Sequence, residues 1–245
     1  MSIGCESTVM FPPTLQAVYI RTLGAYEATR DAVQLNWQGA GVGARKLQRG
    51  LSHLLAKRDQ LVGREVLIEL TETRNIVSGI KTMLCRWGMK PAFDLRSLNV
   101  MLMRHTSWYT DGDRLEELLK RATQLEASGD LAGRLAVLEQ IEPLCGGRFL
   151  PDYDSVPEYS IDDEVAFWQL RQKEALQTLA WARIATNDPH LCAPALRAAV
   201  RALRFDPENP TAYQFAADIA RRGSHEARAR HYEALARYYE RCHDN

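Results

Sequence analysis

The chain has 245 residues, of which 46% are hydrophobic, and this is enough for one large domain or for two ordinary domains with packed cores. No stretch approaches the roughly 18 uncharged apolar residues of a membrane span, and residues 1–13 lack the basic start and apolar core of a secretory signal, so we expect a cytoplasmic protein without a membrane partner. Residues 1–110 carry 14 lysines and arginines against 8 aspartates and glutamates, whereas residues 111–245 carry 17 against 23. The basic first half is therefore the half suited to meet a polyanion such as nucleic acid.

The cysteines show no cross-linking or metal-binding pattern. They stand singly, and none belongs to a Cys-x-x-Cys pair: Cys5, Cys85, Cys145, Cys192 and Cys242. Neither a disulfide framework nor a zinc site is predicted, and we expect no cofactor. The thiols are interpreted as small core residues or as idle groups.

The first half opens with strand patterns. Residues 18–23 are rich in β-branched and aromatic side chains, and a second such stretch covers residues 26–35. This pattern predicts a short hairpin or small sheet at the start of the domain. The glycines of residues 39–43 then mark a loop.

Three helical patterns follow this loop. Residues 44–57 place leucines at helical spacing while arginines and lysines stay off that stripe, and residues 63–70 form a second, shorter helix. Thr71 is predicted to cap a third helix with its hydroxyl, and Gly88 and Pro91 are predicted to end it. The buried face of the third helix is predicted to consist of Ile76, Ile80, Met83, Leu84 and Trp87.

Strand patterns return after the third helix. Residues 93–95 and 99–103 are predicted strands, and a polar turn at Arg96 and Ser97 separates them. Three helices followed by a hairpin is the element order of a winged helix, whose third helix enters the major groove while the hairpin lies along the DNA backbone. Residues 1–110 are therefore predicted to form a winged helix-turn-helix domain.

The second half shows hydrophobic residues at helical spacing throughout. Helices are predicted over residues 112–127, 131–142, 161–186, 191–204, 209–222 and 224–241. Short antiparallel helix pairs of this length resemble tetratricopeptide units, so residues 111–245 are predicted to form an all-α domain of that kind in an α+β chain. The aromatic side chains of this half are interpreted mainly as core, and a concave partner-binding surface is the alternative.

Short motifs follow one another through the second half in a definite order. They are Asp111 with Leu115, Leu118 and Leu119, then Gly129 to Ala132 with Ala136 and Leu138, then Gly147 to Pro151, then Trp168 with Arg171, then Phe205 to Pro207 with Ala212 and Tyr213, and last Gly223, Ala227, Tyr232, Glu233 and Leu235. This succession resembles the bacterial transcriptional activator domain of the Streptomyces antibiotic regulatory protein family. In that family a winged helix precedes the activator domain.

The first half carries a resemblance to that winged helix, so that residues 18–240 are covered in all. It rests on the Val18 strand with Leu23 and Gly24, the Arg45 helix, Arg64 to Leu67, and Arg74 with Asn75. Two features depart from the family. First, residues 69–72 continue directly toward the third helix, whereas family members have a tryptophan after the second helix and a longer acidic connection to the third. Second, Gly79 lies in the middle of the third helix, where a glycine costs about 1 kcal/mol relative to alanine. Gly79 either lets the third helix approach DNA closely or indicates that residues 1–110 are losing the ability to bind DNA.

Candidate DNA-binding residues lie off the apolar face of the third helix and on the elements around it. The base-reading candidates are Arg74, Asn75, Ser78, Lys81 and Thr82, since arginine and asparagine suit guanine and adenine edges. The phosphate-contact candidates are Arg45, Lys46 and Arg49 on the first helix and Arg96 on the hairpin, because such contacts need charge and reach rather than a base geometry. An ordinary solvated surface is the alternative for each of them.

Other chemistry is weakly indicated. The glycines of residues 39–43 precede a helix as a phosphate-cradling loop would, but no Lys-Ser or Lys-Thr pair follows them. No spacing among His225, His231, Cys242 and His243 matches a tetrahedral metal site. No Ser, Cys or Asp stands in a recognisable nucleophile setting, so we predict neither an enzyme nor a metal site.

The sequence thus predicts a sequence-specific, DNA-binding regulator of transcription. The family resemblance implies activation, with tandem direct repeats of double-stranded DNA as the site and RNA polymerase, through its sigma-factor region, as the partner. A homodimer and association with the bacterial nucleoid are also expected. The alternative is a helical-repeat interaction scaffold whose winged helix no longer binds DNA.

Overall fold

The chain folds as an α+β protein with small sheets, and the computed structural model describes residues 17–153 and 157–243. Its packing divides it into two units. The first unit runs through Ile20 and resumes over Glu27–Tyr109, and the second joins Arg21–Tyr26 to the residues from Thr110 onward. Within the described ranges, no helix combines the length and the apolar content that crossing a membrane requires.

Three helices follow one another in the first unit, in the order predicted: α1 (Ala44–Ala56), α2 (Arg64–Thr71) and α3 (Ile76–Arg86). The leucines at helical spacing on α1 are buried, and α1 packs against both α2 and α3. Beyond α2, the left-handed backbone of Glu72 (φ 51°) turns the chain toward α3. Each helix is thus held through one apolar face, as its amphipathic pattern predicts.

The capping role predicted for Thr71 is wrong. Thr71 is the buried last residue of α2, and its hydroxyl donates to the Leu67 carbonyl oxygen at 2.7 Å. A threonine inside a helix commonly bonds the carbonyl four residues back, so this hydroxyl is already engaged. The residue at the N-cap of α3 is Asn75 instead.

A three-stranded antiparallel sheet contains the predicted hairpin. Its order is β4 (Val62–Gly63), β6 (Asn99–Leu102) and β5 (Phe93–Leu95). In register, Val62 and Leu95 lie on either side of Val100, which is fully buried. β4 was not predicted, because a strand of two residues between two helices is too short to show the alternation of apolar and polar side chains that identifies a strand.

A second sheet has the strand order β3 (Val33–Gln34), β2 (Glu27–Arg30), β1 (Val18–Arg21) and β7 (Trp108–Thr110). The first three strands lie where strand patterns predict them. β7 has no predicted counterpart, since a run of three residues gives no readable alternation.

Six helices make up most of the described part of the second unit, near the predicted positions. They are α4 (Asp111–Ala127), α5 (Leu131–Leu138), α6 (Asp162–Ala185), α7 (Pro189–Ala202), α8 (Pro210–Arg222) and α9 (Glu226–His243). The most extensive contacts among them are between helices that are neighbours along the chain. Thr110, Asp188 and Asn209 cap α4, α7 and α8, and a proline follows the cap in the last two, which is the favoured way to start a helix.

α5 is shorter than predicted and ends at Leu138 rather than at residue 142. Glu139 and Glu142, which follow it, both bind the guanidinium of Arg183 on α6, with Nη2 to carboxylate distances of 2.6 and 2.7 Å. The side chain of Arg183 is only 5% exposed, so these charge-assisted bonds are protected from water. Pro143 adds to the break, because the residue before a proline disfavours helical backbone.

A buried carboxylate ties Arg21–Tyr26 to the rest of the second unit. Asp111 is 1% exposed, and it accepts hydrogen bonds from the Thr22 N–H (2.8 Å), the Thr22 hydroxyl (2.6 Å) and the Leu23 N–H (2.8 Å). The N–H of Gly112 donates at 3.1 Å. Burial raises the pKa of Asp111 above its ordinary value, while these hydrogen bonds favour the ionised form.

Backbone contacts also join the segment Arg21–Tyr26 to residues 146–150 of the second unit. Leu23 forms a β-bridge with Phe149, and the Leu150 N–H donates to the Thr22 carbonyl at 2.7 Å. Gly24 has φ +79°, and a Cβ there would lie 2.3 Å from carbonyl atoms of Gly146. Only glycine fits this position without strain.

Candidate nucleic-acid interface

α3 has two chemically different faces. The predicted apolar set Ile76, Ile80, Met83, Leu84 and Trp87 is buried. The exposed face of α3 consists of Ser78, Lys81 and Cys85, with Thr82 half-buried beside them. From Ser78 to Cys85 this face extends about 10 Å along the helix axis. No residue of α3 is acidic, so the face is polar and Lys81 gives it a positive charge.

Arg74 and Asn75 extend this face at the amino end of α3. Both are exposed. Asn75 stands at the N-cap, yet its side chain makes no capping hydrogen bond. Its amide therefore retains a donor and an acceptor for another group, which is the pair that recognises an adenine edge.

Lys46 joins the start of α1 to the same place. Its Nζ donates to the Thr73 hydroxyl at 2.9 Å and reaches the Glu72 carbonyl oxygen at 3.5 Å. Lys46 and Arg74 thus lie close together at the amino end of α3, where the helix dipole is positive. Arg45 beside Lys46 is exposed as well, whereas Arg49 is half-buried.

Arg96 lies elsewhere in the first unit. It occupies the turn between β5 and β6, where its Nε pairs with Asp94 at 2.9 Å. Its carbonyl oxygen accepts a hydrogen bond from Arg64 Nη2 at 3.1 Å, which places it beside the start of α2. The structure therefore brings eight of the predicted site residues around α3 and α1, and it sets Arg96 apart on the hairpin.

Gly79 has a role that the sequence did not suggest. It is buried, and a Cβ on it would lie 2.8 Å from Val42 Cγ2 and 3.0 Å from Leu47 Cδ2. A Cβ on Gly39 would lie 2.1 Å from the Gly79 carbonyl oxygen. Gly79 therefore does not serve a close approach to DNA, because it faces the protein and allows the loop of residues 39–43 to pack against α3.

Cys85 and Thr73 are the members of this surface that sequence reasoning missed. Cys85 is exposed, and its position seven residues after Ser78 and four after Lys81 was a readable signal for the same helix face. Thr73 carried no such signal, because its contact with Lys46 depends on how α1 packs. Cys145 is different, since burial raises the pKa of its thiol to about 12. Cys5 lies outside the described residues.

The described residues offer no candidate metal centre. Across residues 17–153 and 157–243, no group of three His, Cys, Asp or Glu side chains could hold a metal ion. The tail histidines make local contacts instead: the His231 ring lies against Tyr232, and His243 Nε2 is 3.1 Å from the Glu208 carbonyl oxygen.

Lys46, Arg74, Asn75 and the exposed face of α3 thus form one continuous surface that is suited to an anionic ligand with readable edges. When the sequence is compared with protein-family models and with curated proteins, no match is found.

Proposed function

We propose that this chain is a sequence-specific, DNA-binding regulator of transcription. The observation that carries the proposal is the exposed face of α3, which is cationic, lacks carboxylates and has Lys46 and Arg74 at its amino end. A single helix of this kind suits the major groove of B-DNA, which is about 12 Å wide. The order of α1, α2, α3 and the β5–β6 hairpin supports a winged helix-turn-helix as the finer description of the first unit.

The residues divide into two roles in this proposal. Arg74 and Asn75 read base edges from the amino end of α3, and Ser78, Lys81 and Thr82 follow along the groove. Arg45, Lys46 and Arg49 contact phosphates, and Arg96 does so from the hairpin. Lys46 also braces the turn before α3, so it positions Arg74 through Thr73.

The second unit serves protein contact in this proposal. Its consecutive helix pairs support a tetratricopeptide-like description, and residues 111–245 are acidic where DNA would demand the opposite charge. The partner that we propose is bacterial RNA polymerase, through its sigma-factor region, so that the chain activates transcription at the nucleoid.

Two alanine substitutions on α3 test the first unit. After selection of a bound site from random duplexes, Arg74→Ala is expected to weaken binding to that site by about 1–3 kcal/mol and to relax its specificity, because a base contact is lost. Lys81→Ala is expected to weaken binding to all duplexes alike and to lower the salt slope by about one, because a phosphate contact is lost. Fluorescence anisotropy with a labelled duplex at two or more salt concentrations measures both effects.

Lys120→Ala is the matched control, since it removes an exposed lysine from α4 and is expected to change neither quantity. If the double variant Arg74→Ala/Lys81→Ala binds as the wild type does, α3 is not the interface. If the wild type binds no duplex, or binds without a steep salt dependence, the scaffold alternative is the better description.

Cys85 provides an independent test of where DNA lies. Alkylation of Cys85 with a bulky maleimide is expected to abolish DNA binding, and bound DNA is expected to slow that alkylation, because the thiol lies on the exposed face of α3, one helical turn from Lys81. Peptide mass spectrometry follows the modification. Cys85→Ser should bind DNA and resist inactivation by the reagent. Equal labelling of Cys85 with and without DNA would place the DNA elsewhere.

A further inference from the structure

Charge is unevenly distributed within the helical half itself. Residues 111–188 carry 8 lysines and arginines against 16 aspartates and glutamates, whereas residues 189–245 carry 9 against 7. The acidic character of this half therefore belongs to residues 111–188, and mostly to the segments outside their helices, whereas residues 189–245 are weakly basic. Opposite ends of one helical stack thus differ in sign.

α6 has an exposed apolar row bordered by acidic side chains. Asp163, Phe167, Leu170 and Glu174 recur at the spacing of one helix face, and all four are exposed. Phe167 and Leu170 are each 50% exposed, although the opposite side of α6 is packed into the core. We call these four residues the acidic face of α6. Adjacent large apolar side chains in water are typical of a contact surface.

The acidic face of α6 continues into a groove between α4, α6 and α8. This groove has a volume of about 490 Å³, and Leu119, Trp181 and Phe215 contribute its apolar lining. At its edge, Glu116 and Glu174 both bind Arg171, at 2.6 and 2.7 Å. Two carboxylates share one guanidinium there, which leaves a negative charge at the end of the groove nearest the acidic face. Further along, Glu126 and Arg134 pair with each other, and the Arg222 guanidinium lies 4.8 Å from the Trp181 ring.

α9 has the complementary surface. Arg230, Ala234, Arg237 and Tyr238 are exposed on one side of this helix, and we call them the basic face of α9. Tyr238 is 53% exposed. α9 packs on α8 through its other side, with Ala229 and Ala236 buried there. On the basic face the two arginines alternate with the apolar side chains of Ala234 and Tyr238, so the face is partly apolar and opposite in charge to the acidic face of α6.

We propose that the basic face of α9 in one copy of the chain docks on the acidic face of α6 in a second copy. The charges are opposite and both faces are partly apolar, which is the pattern of a helix laid in a groove. The lengths are also compatible, since the acidic face extends about 17 Å from Asp163 to Glu174 and the basic face about 12 Å from Arg230 to Tyr238. Because different surfaces meet, the contact is head-to-tail. It goes beyond the proposed function and does not require DNA.

Sedimentation velocity of the full chain tests this proposal. The wild type is expected to associate as its concentration rises from about 1 to about 200 µM, and the association is expected to weaken at high salt, because rim charges contribute to it. Arg230→Glu/Arg237→Glu is expected to weaken association about tenfold or more. Arg228→Glu, an exposed arginine away from the basic face of α9, is the matched control and should associate as the wild type does.

A charge exchange makes the test specific for the two faces. Asp163→Lys/Glu174→Lys is expected to be monomeric, as is the arginine variant. Mixed together, the two variants are expected to associate with each other in equal proportions. The altered, acidic α9 of one variant matches the altered, basic α6 of the other, and the two unaltered faces also match. Thermal melting of each variant, followed by circular dichroism, verifies that both fold.

The apolar centre is tested separately. Phe167→Ser/Leu170→Ser is expected to abolish association, whereas Leu131→Ser, at a residue on α5 that is 64% exposed, should leave it unchanged. The proposal is overturned by a wild type that stays monomeric across the concentration range. It is also overturned by a mixture of charge variants that does not associate, or by a dimer that none of these substitutions affects.

Discussion

Replacing Asp111 by alanine is expected to lower the free energy of unfolding of the second unit by about 2–5 kcal/mol, since each buried N–H left without an acceptor costs about 1–3 kcal/mol. The donors left unsatisfied are the N–H groups of Thr22 and Leu23 and the Thr22 hydroxyl. Asp111→Asn is expected to lower the free energy of unfolding by less, because the side-chain oxygen can still accept from Thr22. The remaining loss comes from the Leu23 N–H, which would face the new NH2 group. Urea unfolding followed by circular dichroism measures both losses.

Asp130→Ala is the control for a carboxylate at a helix start. Asp130 caps α5 through one exposed hydrogen bond to Gly133, so its loss is expected to cost about 1 kcal/mol. If Asp111→Ala costs no more than Asp130→Ala, the segment Arg21–Tyr26 does not stabilise the second unit through this carboxylate.

Gly39→Ala is expected to destabilise the first unit by about 3 kcal/mol, at the upper end of what overpacking costs. The added Cβ would lie 2.1 Å from the Gly79 carbonyl oxygen, and backbone cannot rotate away as a side chain can. The loop or α3 must shift, so affinity for DNA is expected to fall as well. Thermal melting and DNA titration of the same sample report the two effects.

Gly43→Ala separates this clash from a general effect of removing glycine. Gly43 has φ −65°, and a Cβ there would meet nothing within 4 Å. The change in the free energy of unfolding is therefore expected to stay below about 1 kcal/mol, the range of an N-cap substitution. Similar losses for Gly39→Ala and Gly43→Ala would contradict the packing described for Gly39.

The exposed face of α3 is predictable from the sequence, because the periodicity of the helix alone decides which side chains lie on that face. Once Ile76, Ile80 and Met83 are assigned to the core, geometry alone places Ser78 and Lys81 on the other side. The same reasoning finds most of the helices of the second unit. Local signals of this kind need no knowledge of what packs against the helix.

Contacts between distant residues are what the sequence did not reveal. Asp111 was grouped only with leucines that follow it closely in the chain, yet its main partners are Thr22 and Leu23, which lie 89 and 88 positions earlier. Gly39 was interpreted only as part of a loop and Gly79 as an unfavourable residue in a helix, yet Gly39 leaves room for the Gly79 backbone and Gly79 for the side chains of Val42 and Leu47. Thr71 had a suitable capping side chain, but the length of α2 decided its partner. In each case the deciding group lies elsewhere in the fold.

During synthesis on a ribosome, Arg21–Tyr26 emerges well before the residues that hold it. At about 5–20 residues per second, several seconds separate the appearance of Thr22 from that of Asp111, and more pass before Phe149 and Leu150 arrive. The segment must stay accessible through that interval, so α4 and the loop at Phe149 depend on a segment that is translated well before them. A shortened chain that starts after Tyr26 would therefore be expected to show its defect far from the cut, in the stability of α4 and of the loop at Phe149.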